Sequence, residues 1–330
     1  MAHCARASVK PGKIPTALQK TPVKINLSKR KRERIMNYTI KNERITATVS
    51  SLGAELISVV GDDGFEYIWD STGTEFWDGH APVLFPACGR TLNNTYTYKG
   101  VSYEMVAHGF APRSEFSLVE KSDDRLVLSL TPTDEIKAKN YPFDFELVAE
   151  FRVEENRLFA NFTVHNRDKV ELPYMFGWHP AFTLEGVGGS SIYDFTVAFK
   201  NVDSVTWHPL QNGPFVNPVG KPYPLKNSAY PLHEKEIYEN DTMIFVGAGY
   251  ECLLSAPMER HGVKMSYSEN IPYFCIWKEP SSEARYVCLE PWGNVPSGGD
   301  APEVYETKTM ARLPVGKSEV YAFEVEFFAK

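Results

Sequence analysis

No stretch of this 330-residue sequence approaches the roughly 18–20 consecutive apolar residues of a membrane-spanning helix, which excludes a helical membrane protein. Cysteine is scarce. The five present (Cys4, Cys88, Cys252, Cys275 and Cys288) form no C-x-x-C pair and have no regular spacing. A zinc or disulfide framework is therefore not expected, and the thiols read as reduced, buried residues of a cytoplasmic protein. Absent as well are the G-x-S-x-G elbow of serine hydrolases, the P-loop and the dinucleotide-binding glycine fingerprint. Long helical patterns are few, because 23 prolines and 22 glycines punctuate the whole chain with turns. What is present, 43% hydrophobic and 23% charged residues, suffices for a large core and excludes a disordered chain.

Acidic residues are nearly missing from one segment. Residues 1–35 hold ten Lys or Arg and a single acid, Glu33, leaving 25 bases and 41 acids in residues 36–330. The formal charge of −7 thus hides a body of −16, which repels a phosphate backbone and argues against nucleic-acid binding. The leader has no apolar core of the kind a secretory signal carries. Its composition allows a transit peptide or a disordered basic tail. The run Lys29-Arg30-Lys31-Arg32-Glu33-Arg34 before Met36 can be encoded by purines alone, as an in-frame ribosome-binding site would be. The expectation is a disordered leader over 1–35, upstream of a natural start at Met36, and one domain over 36–330.

From Arg44 onward apolar residues alternate with polar ones. Phe143, Phe145, Leu147, Ala149, Phe151 and Val153 share one face, Glu154-Glu155-Asn156 make a turn, and Leu158, Ala160, Phe162 and Val164 alternate again. That is a long antiparallel hairpin with one buried face. Tyr321, Phe323, Val325 and Phe327 close the chain in the same way. Only Thr133–Asn140 reads as a helix, capped by Thr133 or Asp134. The pattern predicts an all-β fold, a large antiparallel β-sandwich with at most a few short helices.

Two polar residues sit where strand core would be expected. In Met175-Phe176-Gly177-Trp178-His179-Pro180, alternation puts Met175, Gly177 and His179 on one face, with Gly177 leaving room for a ligand beside the imidazole. In Tyr286-Val287-Cys288-Leu289-Glu290-Pro291, Tyr286, Cys288 and Glu290 share a face, and a buried carboxylate there needs partners. Each proline is expected to end its strand. His179 could equally be a satisfied core histidine, and Glu290 could bridge to Arg285. Taken together they suggest a general acid and a general base facing one pocket. A carboxylate near the imidazole would raise its pKa and keep more of it protonated. Arg90 follows the apolar run 81–89, and His108 sits in a loop. Either could contact a ligand, or be a surface charge and a loop cap. Trp77, Trp178, Trp277 and Trp292 could be core, or could pack on the C–H faces of a sugar.

At these residues the sequence resembles the aldose 1-epimerase (galactose mutarotase) family, and within it the LacX-type branch. The shared words run in order: Gly53-Ala54-Glu55-Leu56, Tyr67-Ile68-Trp69, the segment His80 to Pro86, Gly89-Arg90, His108-Gly109-Phe110-Ala111, Gly177 to Phe182, and Leu289-Glu290-Pro291-Trp292. The resemblance implies a galactose mutarotase-like β-supersandwich and interconversion of the α and β anomers of a hexose. It implies His179 as acid and Glu290 as base, with Arg90, His108, Asp241 and Trp292 binding the sugar. No metal or organic cofactor is implied. The expected partner is a small sugar, with no nucleic acid or membrane, and the chain is expected to be a monomer or weak homodimer.

Two departures from the family pattern carry expectations. Pro112 intervenes before Arg113, where the branch has its arginine directly after the His-Gly-Phe-Ala word. In an extended segment that slip would turn Arg113 away from sugar or phosphate. The stretch 293–300 is longer than usual, so the pocket rim is expected to differ. A hexose-6-phosphate 1-epimerase is the rival enzyme, needing basic groups such as Arg90, Arg113 and Lys99 to converge. A sugar-binding or sensing protein without turnover is the rival of another class.

Overall fold

A computed structural model describes residues 35–184, 190–279, 284–295 and 298–329, and every structural count below refers to these. The basic leader, apart from Ile35, lies outside them, as do Cys4 and part of the 293–300 stretch. The strongest alternation in the sequence becomes the centre of the larger sheet. Phe145–Glu154 pairs with Arg157–Asn166 about a turn at Glu155–Asn156, with Val153 opposite Leu158 and Phe151 opposite Ala160. Their inward residues are buried throughout. Outward-facing Glu150 and Glu146 meet Arg125 and Arg167. The strand begins at Phe145 rather than Phe143, although Phe143 is fully buried all the same.

Nine strands make this sheet, in the order Ala229–Pro231, Thr196–Phe199, Glu251–Ser255, His261–Tyr267, Ser318–Ala329, Arg157–Asn166, Phe145–Glu154, Arg125–Leu130 and Ser117–Lys121. A second sheet runs Lys221–Pro224, Ser204–His208, Thr242–Val246, Tyr273–Trp277, Tyr286–Trp292, Gly177–Trp178 and Val83–Leu84, with Ala181–Thr183 also on Tyr286–Trp292. Inward side chains of both sheets, among them Phe151, Phe162, Phe323, Trp178 and Leu289, belong to one apolar cluster. Each large side chain fully removed from water contributes about 1.5–3 kcal/mol, which is why period-two patterning is enough to specify the sandwich.

Helix is confined to short pieces. Thr133 caps Asp134–Lys139 by accepting the Ile136 amide hydrogen at 3.2 Å, as its sequence pattern predicts. A second helix, Lys235–Asn240, has no side-chain cap and gives no such signal. It ends on Asp241 at φ 70°, a left-handed conformation uncommon for a residue with a side chain. The four described cysteines, Cys88, Cys252, Cys275 and Cys288, are free and buried. No helix among the described residues is long and apolar enough to cross a membrane.

Candidate active site

The site grows from the outer face of the smaller sheet. Along Tyr286–Trp292, Val287 and Leu289 point into the main core, while Tyr286 and Cys288 join a separate cluster with Trp69, Ala181 and Ala284. Phe76, Trp77 and Trp277 pack against that cluster. Gly177 lies opposite Trp292 and Ala181 opposite Cys288, a register that puts His179 across from Glu290. Their Nε2 and Oε2 atoms are 3.1 Å apart, out of line for a hydrogen bond. Both side chains are buried, and both Glu290 oxygens lack a hydrogen-bond partner. Arg285 is exposed and is not the partner of Glu290.

Pro180 falls in a break after the strand Gly177–Trp178, as expected, whereas Pro291 does not end its strand. The chain is interrupted at His179–Pro180 but stays within the sheet, with the His179 amide donating to the Pro82 carbonyl and the Pro180 carbonyl accepting from Leu289. Pro291 pairs with Phe274 inside a strand that continues to Trp292. Its missing N–H falls beside the interrupted neighbour, where the ladder is already incomplete. Gly177 also serves a purpose other than the expected one. A Cβ there would lie 2.8 Å from Trp292 Cδ1 and 3.1 Å from Cys88 Sγ, so the glycine makes room for protein and not for a ligand.

A hollow of about 290 Å³ opens on His179, lined also by Trp77, Asp78, His108, Pro112 and Arg113, with Glu55 at its wall. Trp77 lies 4.9 Å from the His179 ring and Trp277 lies edge-on at 5.8 Å. His108 stands perpendicular to His179 at 5.5 Å. Its backbone is left-handed, φ 65°, and its Nδ1 accepts the Gly89 amide hydrogen at 3.3 Å, so the neutral ring carries its proton on Nε2. Glu55 accepts the amide hydrogens of His80 and Ala81 and so fixes the start of the Ala81–Pro86 segment.

Of the residues singled out in the sequence, His179 and His108 line the hollow, and Glu290 sits directly behind His179. Trp292 is buried edge-on to His108 at 6.0 Å. Asp241 accepts the Trp277 indole N–H at 2.8 Å, and its charge pushes the Glu290 carboxyl upward. Arg90 is exposed and does not line the hollow, though its charge reaches His108. Lys99 is at a turn and not in the wall. Asp300 is tied to Asn212 and likewise outside it.

Arg113 corrects an expectation. Residues Ala111–Arg113 form a 3-10 turn, not an extended segment, so the extra proline does not simply reverse the side chain. Arg113 lines the hollow, held by the carbonyls of Ala107 and Gly109. Asp78 was missed because nothing in its own neighbourhood marks it. Its carboxylate influences Arg113 and Glu55 across the cavity wall.

Burial sets the protonation of the site. Desolvation pushes the Glu290 carboxyl well above the usual carboxylate range. Desolvation, and then His108, drive the His179 imidazole well below the usual histidine range. The expectation of a histidine made more basic by its carboxylate is therefore not met, because loss of water outweighs attraction when both partners are buried. His108 is lowered to about 4, by burial first and by Arg113 and Arg90 next. Since its unfolded value is higher, the unfolded chain takes up the proton first as pH falls. Stability is fully present above about pH 6.5 and is lost toward pH 4 by up to about 3 kcal/mol, less where the ring meets water in the hollow. His108→Asn tolerates the left-handed backbone, and urea midpoints at pH 7 and pH 5 are expected to converge relative to wild type.

Two stacked antiparallel sheets thus carry a polar hollow on the outer face of one, with Trp77 in its wall and an imidazole–carboxylate pair at its back. The aldose 1-epimerase family profile matches residues 36–297. The chain belongs to the aldose 1-epimerase family, whose members are isomerases acting on sugars. It is 25% identical over 306 residues to the chromosomal LacX protein of Lactococcus lactis subsp. lactis, covering 86% of this chain and 97% of that protein. A galactose mutarotase related enzyme of Lactobacillus acidophilus superposes with a TM-score of 0.82 at 29% identity, over 89% of this chain and all of the other. A galactose mutarotase-like protein of Lactobacillus casei gives 0.80 at 27% identity, over 88% of this chain and 100% of that one.

Proposed function

We propose that residues 36–330 act as one domain that interconverts the α and β anomers of an unmodified hexose, with Glu290 as base and His179 as acid. Glu290 takes the proton of the C1 hydroxyl while protonated His179 gives one to the ring oxygen. The C1–O5 bond breaks as the C1 carbonyl forms. After rotation about C1–C2 the same two groups, with their roles reversed, close the ring on the other face. Burial by itself favours the neutral pair. A sugar hydroxyl donating to Glu290 stabilises the carboxylate and so favours the proton on His179, the arrangement the opening step uses. The C1–O5 unit has to come between the two side chains, so their 3.1 Å contact parts when sugar enters.

The observation that carries this reading is the approach of Glu290 to His179 from behind, where His179 lines a hollow near the lower end of the ~300–1,000 Å³ range of small-molecule sites. Trp77 supplies an aromatic wall, and His108 offers its Nε2–H to a sugar oxygen. Asp241, strained and fixed by Trp277, is proposed to take sugar hydroxyls as the pair opens. The four free buried thiols fit a reducing, cytoplasmic setting.

Arg113 gives a hexose 6-phosphate some claim. Asp78 and Glu55 share the wall with it, however, and leave no excess positive charge for a phosphate. NMR exchange or polarimetry on glucose, galactose and their 6-phosphates tests the proposal. Acceleration of the free hexoses above the phosphates is expected. Tight binding without acceleration would make the protein a sugar sensor. Within this reading Arg113→Ala is expected to raise KM several-fold with kcat little changed, and Arg90→Ala to do much less, because only Arg113 faces the hollow.

A further inference from the structure

We propose that His179, Cys288 and Glu290 also form a binding site for a soft divalent cation of the zinc type, and that a metal seated there silences the pocket. Ligand atoms of the three residues all lie within 4.8 Å of one another, and all three side chains are buried. Among the described residues they are the one set of histidine, cysteine and carboxylate so grouped. The register explains the convergence. Cys288 and Glu290 project from the same face of one strand, two positions apart, and His179 comes from the break between the two short strands opposite, Gly177–Trp178 and Ala181–Thr183.

Nitrogen, sulfur and oxygen donors in threes, with a fourth position left open, are a set that zinc accepts. Bonds of ~2.0–2.3 Å place donor atoms of a tetrahedral site about 3.4–3.6 Å apart. The His179–Glu290 separation of 3.1 Å is already close to that, and the wider separations need to close by about an ångström. A second, independent feature points the same way. Both oxygens of the buried Glu290 carboxyl have no hydrogen-bond partner, an expensive state for a polar group out of water. A thiolate and a carboxylate together cancel the charge of the ion, so the loaded site is neutral and suited to burial. As the bonds form, Cys288 releases its thiol proton to solvent, as does Glu290 if it carries one, and no electron moves. The thiolate selects against magnesium and calcium, which take oxygen donors.

The metal is an inhibitor, since the two groups it takes are the ones proposed to move protons. The test uses the full chain. Zinc chloride is added at neutral pH, bound metal is counted after dialysis, and cobalt(II) is used as a spectroscopic probe. One bound equivalent, a thiolate-to-cobalt charge-transfer absorption and loss of anomer exchange that EDTA reverses are expected. Saturating hexose should raise the zinc concentration needed. Cys288→Ala should keep its exchange activity and weaken zinc binding by more than the ~10–100-fold that loss of an outer partner costs. Cys288→Ser, closer in size, guards against a packing defect, and the cobalt spectrum of the wild-type chain stands apart from both. Absence of the thiolate signature, or zinc affinity in both variants equal to that of the wild-type chain, overturns the proposal. The thiolate signature in a chain that exchanges no sugar would leave the metal site standing and refute the ring-opening role.

Discussion

Glu290→Gln and His179→Asn are each expected to slow anomer exchange by ~10²–10⁴-fold, the usual worth of a positioned acid or base. Glutamine keeps the shape of the Glu290 side chain, and asparagine keeps a neutral polar group at 179 in a smaller volume. Glutamine at 290 cannot accept the C1 proton, and asparagine at 179 cannot deliver one to the ring oxygen. Because the two act on one proton path, the double variant should lose little more than either single one. Sugar affinity, read from ligand-induced shifts of the unfolding midpoint, should survive in both. Glu290→Gln should also be no less stable than wild type, since it removes an ionisable group whose charged form is costly in a buried setting. Retention of near-wild-type exchange by either single variant would end the acid–base assignment.

The second large effect is on folding. Gly109 holds φ 76° beside His108, and a Cβ there would lie 2.1 Å from the Phe85 carbonyl oxygen and 2.4 Å from its carbon. Neither is the end of a flexible side chain. Gly109 also bridges Phe85, so the close approach is what docks the His108 turn against the Val83–Leu84 strand. Gly109→Ala is expected to cost at least about 3 kcal/mol, from steric conflict and left-handed strain together. Gly100 provides the comparison. It has φ 75° with nothing within 4 Å of where a Cβ would stand, so Gly100→Ala should cost only about 1 kcal/mol. Urea unfolding of the two variants separates the terms. Equal losses would mean that the Phe85 contact relaxes freely.

Much of the fold could be read from alternation alone. The Phe145–Glu154 and Arg157–Asn166 hairpin and the closing strand follow from period two, because a residue either faces the other sheet or faces water. Lys235–Asn240 was not legible, since six residues without a cap carry little helical signal and are held by their surroundings. The site divides in the same way. His179 and Glu290 stood out because polar groups interrupt apolar runs, and each strand face could be worked out from its own alternation.

What the amino-acid order determined by itself was which residues share a face: Cys288 with Glu290, and Gly177 with His179. Pairing between strands more than a hundred residues apart is not a local property, and only the folded chain decided that these faces meet with His179 opposite Glu290. Tertiary structure likewise turned Arg113 into the hollow through a 3-10 turn, left Arg90 outside it, and gave Gly177 to Trp292. It also reversed the expected protonation of the pair. The sequence names the groups that can carry charge, but the water around them, which sets the cost of that charge, is removed only by packing.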